Sequence, residues 1–420
     1  MKKRIIIVGG GFAGLSLVKG LANQNVSVLL IDRNNFHTFQ PLLYQTAIGG
    51  IEPTNIVYPF RRIFRNKKNI QFKMAEVYGV DIASSYLNTS IGDLDYDYLV
   101  IATGSINNFF GLDPIKSRFS SLKTINDALD IRYKLMHNLE LVVNTKDEEI
   151  KEQIVNIAVV GGGAAGIEIA GAITEMKKTV LPKDFPEFNF ERMKISLFES
   201  SDRLIKTMSV KSSEAALRGL EEIGVIVNLN TRVKDFDKQT VFTEAGHQFQ
   251  CSTVIWTAGV KGALLSGFSD DVFVTADRLK VNEFNQIIGQ QNIFAIGDIA
   301  AKVDEDNKFG LPMMAPVAVQ QGELLVKNIV NHMENKKMTP FRYKDKGTMA
   351  TIGRNKAVVD LPKLHFNGRF AWFVWMFVHL MSLVGFRNKL ITFINWSINY
   401  INYDRPINAI IGRSEKRDKS

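Results

Sequence analysis

Apolar positions along this chain fall into short continuous runs and longer helical spacings. Arg4 to Val8 (Arg-Ile-Ile-Ile-Val) and Asn156 to Val160 (Asn-Ile-Ala-Val-Val) are β-branched and unbroken, as expected of parallel strands buried on both faces. Each leads into a glycine-rich turn and then a helix. Residues 12–23 place Leu15, Val18 and Leu21 or Ala22 on one face, and the helix after the second turn carries Ile167, Ala170 and Ile173. Further runs, Val26 to Ile31 and Met193 to Phe198, end at Asp32 and Glu199. Leu99-Val100-Ile101 opens into Ala102-Thr103-Gly104, and Ile293 to Ile296 opens into Gly297-Asp298. Pro182 to Arg192 reads as an inserted loop.

The two turns are Gly9-Gly10-Gly11-Phe12-Ala13-Gly14 and Gly161-Gly162-Gly163-Ala164-Ala165-Gly166. Both stand in the order strand, GxGxxG, helix, strand, acid that a dinucleotide requires. Gly9 allows the tight turn, Gly11 lets the backbone approach a pyrophosphate, and Gly14 lets the helix pack on the strand. The helix N-terminus supplies free N–H groups and partial positive charge. Asp32 is placed to accept hydrogen bonds from an adenosine ribose. Gly161, Gly163, Gly166 and Glu199 repeat the set. Glu199 suits both ribose hydroxyls and repels a 2′-phosphate, so NADH is expected over NADPH, with Arg203 as a partial counterweight. Glycine turns that merely connect strand and helix would not need the matching acids. Two dinucleotides in one chain point to hydride transfer between them. Glu168, two residues past the second turn, is compatible with the helix dipole alone or with proton handling beside a nicotinamide.

With 420 residues the chain is expected to form two or three domains, and a net charge of +9 fits a solvated basic surface or an anionic membrane. No stretch interleaves Arg/Lys with aromatics as nucleic-acid binding would. Cys251 is the single cysteine, which excludes a disulfide framework and a dithiol beside a flavin; it is expected to be a small buried hydrophobe. Six scattered histidines lack metal-ligand spacing, so no metal is expected. The basic start Met1-Lys2-Lys3-Arg4 looks like a secretory signal. A glycine turn interrupts its apolar run and no cleavage site follows, so the chain is expected to begin in the cytosol.

Near the C-terminus, residues 370–386 form an almost uncharged run with Phe370, Trp372, Phe373, Trp375, Met376, Phe377 and His379, at the lower length limit for a bilayer span. Leu390 to Tyr403 follows at helical spacing, with Leu390, Phe393, Ile394, Trp396 and Ile401 on the greasy side and Asn395, Asn399 and Asn402 opposite. Arg369, Arg387 and Lys389 flank these segments. Peripheral attachment within one leaflet is favoured over a buried helical pair, a dimer interface or a true span.

The two glycine turns, the Ala-Thr-Gly turn and the late Gly-Asp resemble the flavoprotein disulfide reductase superfamily. That resemblance makes Gly9, Gly11, Gly14, Asp32, Thr103, Gly104 and Asp298 FAD contacts, with Val77 meeting the adenine. Three segments are similar to type II NADH:quinone oxidoreductases: Phe36 to Gln45, Ala315 to Gly322, and Gly368 to Lys389. They add Tyr44, Gln45, Ala315 and Gln320 to the implied FAD set, which also takes Phe12 and Ala13 from the first glycine turn. The implied NADH set is Gly161, Gly163, Gly166, Glu199 and Gly259. Glu168 and Gln320 become the catalytic candidates. Pro316 replaces the first glutamine of the family's Ala-Gln-x-x-x-Gln segment; proline fits a first helical turn, and Gln320 is preferred over Gln321.

The expectation is an α/β fold with two Rossmann-like dinucleotide-binding domains, for FAD (1–115 and 285–335) and NADH (116–284), plus a C-terminal amphipathic helical membrane-attachment region (336–420). The implied reaction is FAD-dependent oxidation of NADH with two-electron reduction of a membrane quinone, menaquinone or ubiquinone, at the cytoplasmic face of the membrane and without proton pumping. A homodimer is left open. An NADH:ferredoxin or rubredoxin reductase would leave the greasy C-terminus unexplained, and a sulfide:quinone reductase would need further cysteines. A flavin- and NADH-binding signalling protein is the rival from another class.

Overall fold

The computed structural model describes residues 2–303 and 307–402. Tyr403, expected to close the last helix, lies outside the described residues, as do the side chains of Ile401 and Asn402.

Two compact units emerge. The first gathers Met1–Thr38, Val57–Asn108 and Val260–Lys346. Its centre is a five-stranded parallel sheet in the spatial order Ile70–Met74, Ser27–Asp32, Arg4–Val8, Tyr98–Ile101, Ile293–Ala295. Ile5, Ile6 and Ile7 are fully buried in the central strand, which is why the run shows no polar alternation. Met74 to Val77 joins two strands: Ile70–Met74 ends there, and Val77–Asp81 begins a three-stranded antiparallel sheet with Tyr86–Thr89 and Leu94–Asp95. On one face of the parallel sheet the helix Phe12–Leu21 packs against the helix Ala315–Met333.

The second unit comprises Phe39–Ile56, Phe109–Gly259 and the chain from Gly347 on. It repeats the plan. Its parallel sheet runs Ile226–Asn228, Ile195–Phe198, Ile157–Val160, Thr253–Trp256, Ser120–Ser121, beside an antiparallel sheet of Val233–Asp237, Thr240–Thr243 and Gln248–Gln250. The helix Ala164–Thr179 follows the second glycine turn. Pro182 to Arg192 is no plain loop: it carries the short helix Leu181–Asp184 and a 3-10 turn, Phe190–Arg192, and buries Phe185, Phe188 and Phe190.

These units differ from the expected boundaries. Phe39–Ile56 belongs with the second unit because Leu43–Ala47 packs on the helices Ile125–Asn144 and Ala164–Thr179. Val260–Gly262 pairs with Ser105–Asn107 and so joins the first unit. The C-terminal segment is no separate body. It begins with an unexpected three-stranded sheet, Thr348–Thr351, Ala357–Leu361 and Leu364–Gly368, which packs on the helices Ala164–Thr179 and Val210–Ile223. A Cβ on Gly171 would stand 2.9 Å from the Gly353 nitrogen, so helix and strand end touch through backbone.

Two helices end the described chain, Arg369–Ser382 and Phe386–Asn402. Among the described residues no helix is long and apolar enough to cross a membrane. Phe370, Phe373, Phe377, Phe386, Leu390, Phe393 and Ile394 are exposed. Trp375 and Trp396 are buried, so Trp396 faces inward with Thr392 and does not share the exposed greasy side.

In the first unit, Gly322 marks the closest approach of the two packed helices: a Cβ there would lie 2.5 Å from the Ala13 carbonyl oxygen and 2.9 Å from Ser16 Cβ. Gly322→Ala forces the helices apart and is expected to cost about 1–3 kcal/mol, measured by chemical denaturation.

Candidate functional site

The first glycine turn is shaped by contacts that exclude side chains. Gly9 has a φ of 102°, and a Cβ on it would sit 2.3 Å from the Ala102 carbonyl oxygen. Ala102-Thr103-Gly104 therefore closes against it, with Thr103 Oγ1 donating to the Ala263 carbonyl at 2.7 Å. A Cβ on Gly14 would stand 1.9 Å from the Gly9 carbonyl oxygen. Gly11 is different: nothing lies within 4 Å of its Cβ position, so the floor of the cradle is open above the helix N-terminus. Asp32 ends its strand with Oδ2 accepting from the Gly10 nitrogen and Oδ1 from the Asn34 nitrogen, both at 2.7 Å. Burial raises its pKa, against the pull of these two N–H groups. His37 Nδ1 lies 2.9 Å from the Gly10 carbonyl, and its ring meets Phe12 edge-on at 5.3 Å. Burial lowers His37 to about 4, so it is neutral.

Other parts of this unit hold the late Gly-Asp turn. Ser105 Oγ donates to Asp298 Oδ2 at 2.5 Å. Arg278 donates to four carbonyls, those of Asp298, Ala300, Phe309 and Leu311, tying the turn to the loop beyond it. The helix Ala315–Met333 starts at Ala315 with Pro316 in its first turn, as expected. The two glutamines take different partners. Gln321 is buried and its Oε1 accepts from the Gly297 nitrogen at 2.7 Å. Gln320 spends its amide on Lys344, donating to the carbonyl at 2.9 Å and accepting from the nitrogen at 3.0 Å. It would have to release both bonds to reach a ligand.

In the second unit the same contacts recur. Gly161 has a φ of 108° and a Cβ position 2.6 Å from Ala258 Cα; a Cβ on Gly166 would be 1.9 Å from the Gly161 carbonyl oxygen; Gly163 again faces open space. Thr257-Ala258-Gly259 takes the place that Ala102-Thr103-Gly104 has in the first, and Gly259 has a φ of 113°. Glu199 Oε2 accepts from the Gly162 nitrogen at 2.6 Å and Oε1 from the Ser201 nitrogen at 2.7 Å. Carboxylate oxygens keep further acceptor capacity beyond these bonds. Arg203 donates to the Lys206 carbonyl at 3.0 Å.

Also within the second unit, the helix Ala164–Thr179 carries Glu168 into the interior, where it is 7% exposed. Burial pushes its carboxyl up to about 8, opposed by the Thr351 N–H, which donates to Oε1 at 3.3 Å, and by the nearby Trp375 indole N–H. Glu168 is thus mostly protonated at neutral pH. Its neighbours Thr351 and Trp375 help line a cleft whose walls also include Tyr44, Gln45, Trp372 and Trp396. The polar ends of Tyr44 and Gln45 turn toward the C-terminal segment, to Thr351 and Trp396. Cys251 is buried, which lifts its thiol to about 12, as an inert side chain requires.

Arg278 and Thr351 carry no local sequence signal, and Gln321, inside the Ala315 to Gly322 segment, was ranked below Gln320. Thr351 belongs to a sheet of short, half-polar strands.

Residues 3–322 match the family described as pyridine nucleotide-disulphide oxidoreductase, and residues 346–402 match the NDH2 C-terminal domain. The type II NADH:quinone oxidoreductase NdhA of Mycobacterium tuberculosis is 32% identical, with 97% of this chain and 89% of that protein covered. The type II NADH:quinone oxidoreductase of Haemophilus influenzae is 30% identical over 90% of this chain and 93% of its own. The solved structure of NDH2 from Plasmodium falciparum in complex with NADH has the same fold, with a TM-score of 0.89 at 23% identity over 97% of this chain and 100% of that one.

Gly11 and Gly163 have φ values of −66° and −73°, which alanine adopts freely. Gly11→Ala and Gly163→Ala are therefore expected to change unfolding free energy by under about 0.5 kcal/mol. Each methyl group would enter the open floor of its cradle, so flavin occupancy should fall in the first and NADH affinity in the second, read by absorbance and by titration. Unchanged nucleotide binding in both would show that the floors are not ligand space.

Proposed function

The chain belongs to the type II NADH:quinone oxidoreductase family, and on that footing we propose that it binds FAD and NADH and passes two electrons from NADH to a membrane quinone. The observation that carries this is the pair of cradles with the same side-chain-free floor, helix start and acid-to-turn bond. Gly9, Gly11, Phe12, Ala13, Gly14, Asp32, Val77, Thr103, Gly104, Asp298 and Ala315 would hold FAD. Gly161, Gly163, Gly166, Glu199 and Gly259 would hold NADH. Bound FAD supplies hydride acceptance from the nicotinamide and two-electron delivery to the quinone.

The chain's own groups do the rest. Asp32 and Glu199 orient the riboses through acceptor capacity left over from the turn. Glu168 holds a proton at its buried carboxyl, within the unit whose cleft would receive the quinone ring between aromatic walls. The exposed phenylalanines of the last two helices, edged by Arg369, Arg387 and Lys389, suit the boundary of an anionic leaflet. That face would dip into the cytoplasmic side of the membrane and bring a lipid-soluble acceptor to the cleft.

Purified protein loaded with FAD should oxidise NADH briskly with decylubiquinone or menadione, and faster with vesicles present. Flavin reduction without quinone-dependent reoxidation would sink the reading. Glu199→Ala should raise the Michaelis constant for NADH about tenfold and narrow the gap to NADPH. An unchanged cofactor ratio would place Glu199 away from the ribose. Phe377→Asp with Phe386→Asp, two residues 65% and 80% exposed, should release the protein from anionic vesicles on sedimentation without unfolding it.

A further inference from the structure

We propose that Tyr44 and Thr351 together present one hydroxyl hydrogen to a carbonyl oxygen of the quinone, and that Trp396, on the last helix, keeps that hydrogen from being spent on Gln45. This rests on the quinone reading given above.

Hydrogen-bond valence carries the argument. The Trp396 indole nitrogen has a hydrogen and no acceptor lone pair, so at 2.7 Å from Gln45 Oε1 it donates. That contact fixes which end of the Gln45 amide is oxygen. The amide nitrogen then donates to Tyr44 Oη at 3.0 Å. Tyr44 Oη lies 3.1 Å from Thr351 Oγ1. The two hydroxyls own two hydrogens, and the bond between them uses one. If Tyr44 donates to Thr351, the threonine hydrogen remains; if Thr351 donates, the tyrosine hydrogen remains. In both arrangements one donor is left, and both residues line the cleft.

A buried donor favours a ligand rich in acceptors. A quinone offers two carbonyl oxygens and no hydrogen to donate, which is the complementary pattern. As electrons arrive, negative charge builds on that oxygen and the same hydrogen bond strengthens, so the donor favours reduction as well as binding. Tyr44 itself is a poor acid, since burial and the neighbouring Glu168 push its pKa up. Its part is donation of a hydrogen bond, with the proton kept. Trp396 is a positioning residue: it acts through Gln45 and touches no reacting atom in this scheme. The flat faces of Trp375 and Trp372 in the same cleft provide the apolar surround that lets a single donor decide orientation.

The test uses the FAD-loaded full chain and four substitutions that keep side-chain shape. Tyr44→Phe and Thr351→Val each remove a hydroxyl and are expected to raise the Michaelis constant for decylubiquinone roughly tenfold. Trp396→Phe keeps an aromatic ring but loses the N–H, and should raise it roughly threefold. Thr351→Ser should recover most of what Thr351→Val loses. The Michaelis constant for NADH should not follow these changes, and quenching of tryptophan fluorescence by menadione should report the same order of affinities without turnover. If the unaltered protein reduces quinone and Tyr44→Phe and Thr351→Val both match it, the proposal is overturned while the quinone reading stands. A parallel rise in the NADH constant, or no rescue by serine, also overturns it by marking a structural effect. If the unaltered protein reduces no quinone, the reading beneath falls too.

Discussion

At Gly14 and Gly166 a helix starts so close to the preceding turn that a methyl carbon would have to occupy the space of a carbonyl oxygen, 1.9 Å away. That approach organises each cradle. It draws the first helical turn over the strand end, so the unpaired N–H groups at the helix start face the same open floor that Gly11 and Gly163 leave bare. It also brings the second glycine of each turn within reach of the acid on the neighbouring strand. Asp32 takes the Gly10 N–H and Glu199 the Gly162 N–H. A larger residue at either helix start would disturb floor, helix and acid together. The shape of both cradles thus depends on a steric exclusion more than on any single attractive contact.

The second unit adds an electrostatic constraint. A carboxyl sequestered among aromatic side chains binds its proton more tightly when folded, and Glu168 is raised from 4.5 to about 8. Between those values the folded state holds a proton that the unfolded chain has lost, so this group makes folding less favourable as pH rises through the window. Its neighbours Thr351 and Trp375 both line the cleft. Thr351 links the two: its backbone N–H serves Glu168 and its hydroxyl serves Tyr44.

Much of this was visible in the amino-acid order. Unbroken β-branched runs marked the central strands, because burial on both faces forbids polar alternation. The glycine spacing and following acids marked both cradles, because those positions answer to local backbone geometry. What escaped notice depends on distant partners. Arg278 gathers carbonyls from two separate loops, and Gln321 reaches Gly297, neither of which leaves a local pattern. Gln320 and Gln321 are neighbours in sequence, and only the packing of their helix decides which one turns inward. Trp396 looked like part of a greasy stripe; its indole N–H finds Gln45, and that bond needs a fold to be seen. The sheet Thr348–Thr351, Ala357–Leu361, Leu364–Gly368 was hidden for the same reason, its strands being short and half-polar.

The last two helices carry two duties on opposite sides of the same few turns. Outward they show phenylalanines; inward they lend Trp375 and Trp396 to the interior of the second unit. The exposed side can change without touching the core, whereas a change at Trp375, Thr392 or Trp396 reaches the interior of the second unit. Surface chemistry and internal packing are therefore written into the same short stretch of chain, and a substitution there is read by whichever side it falls on.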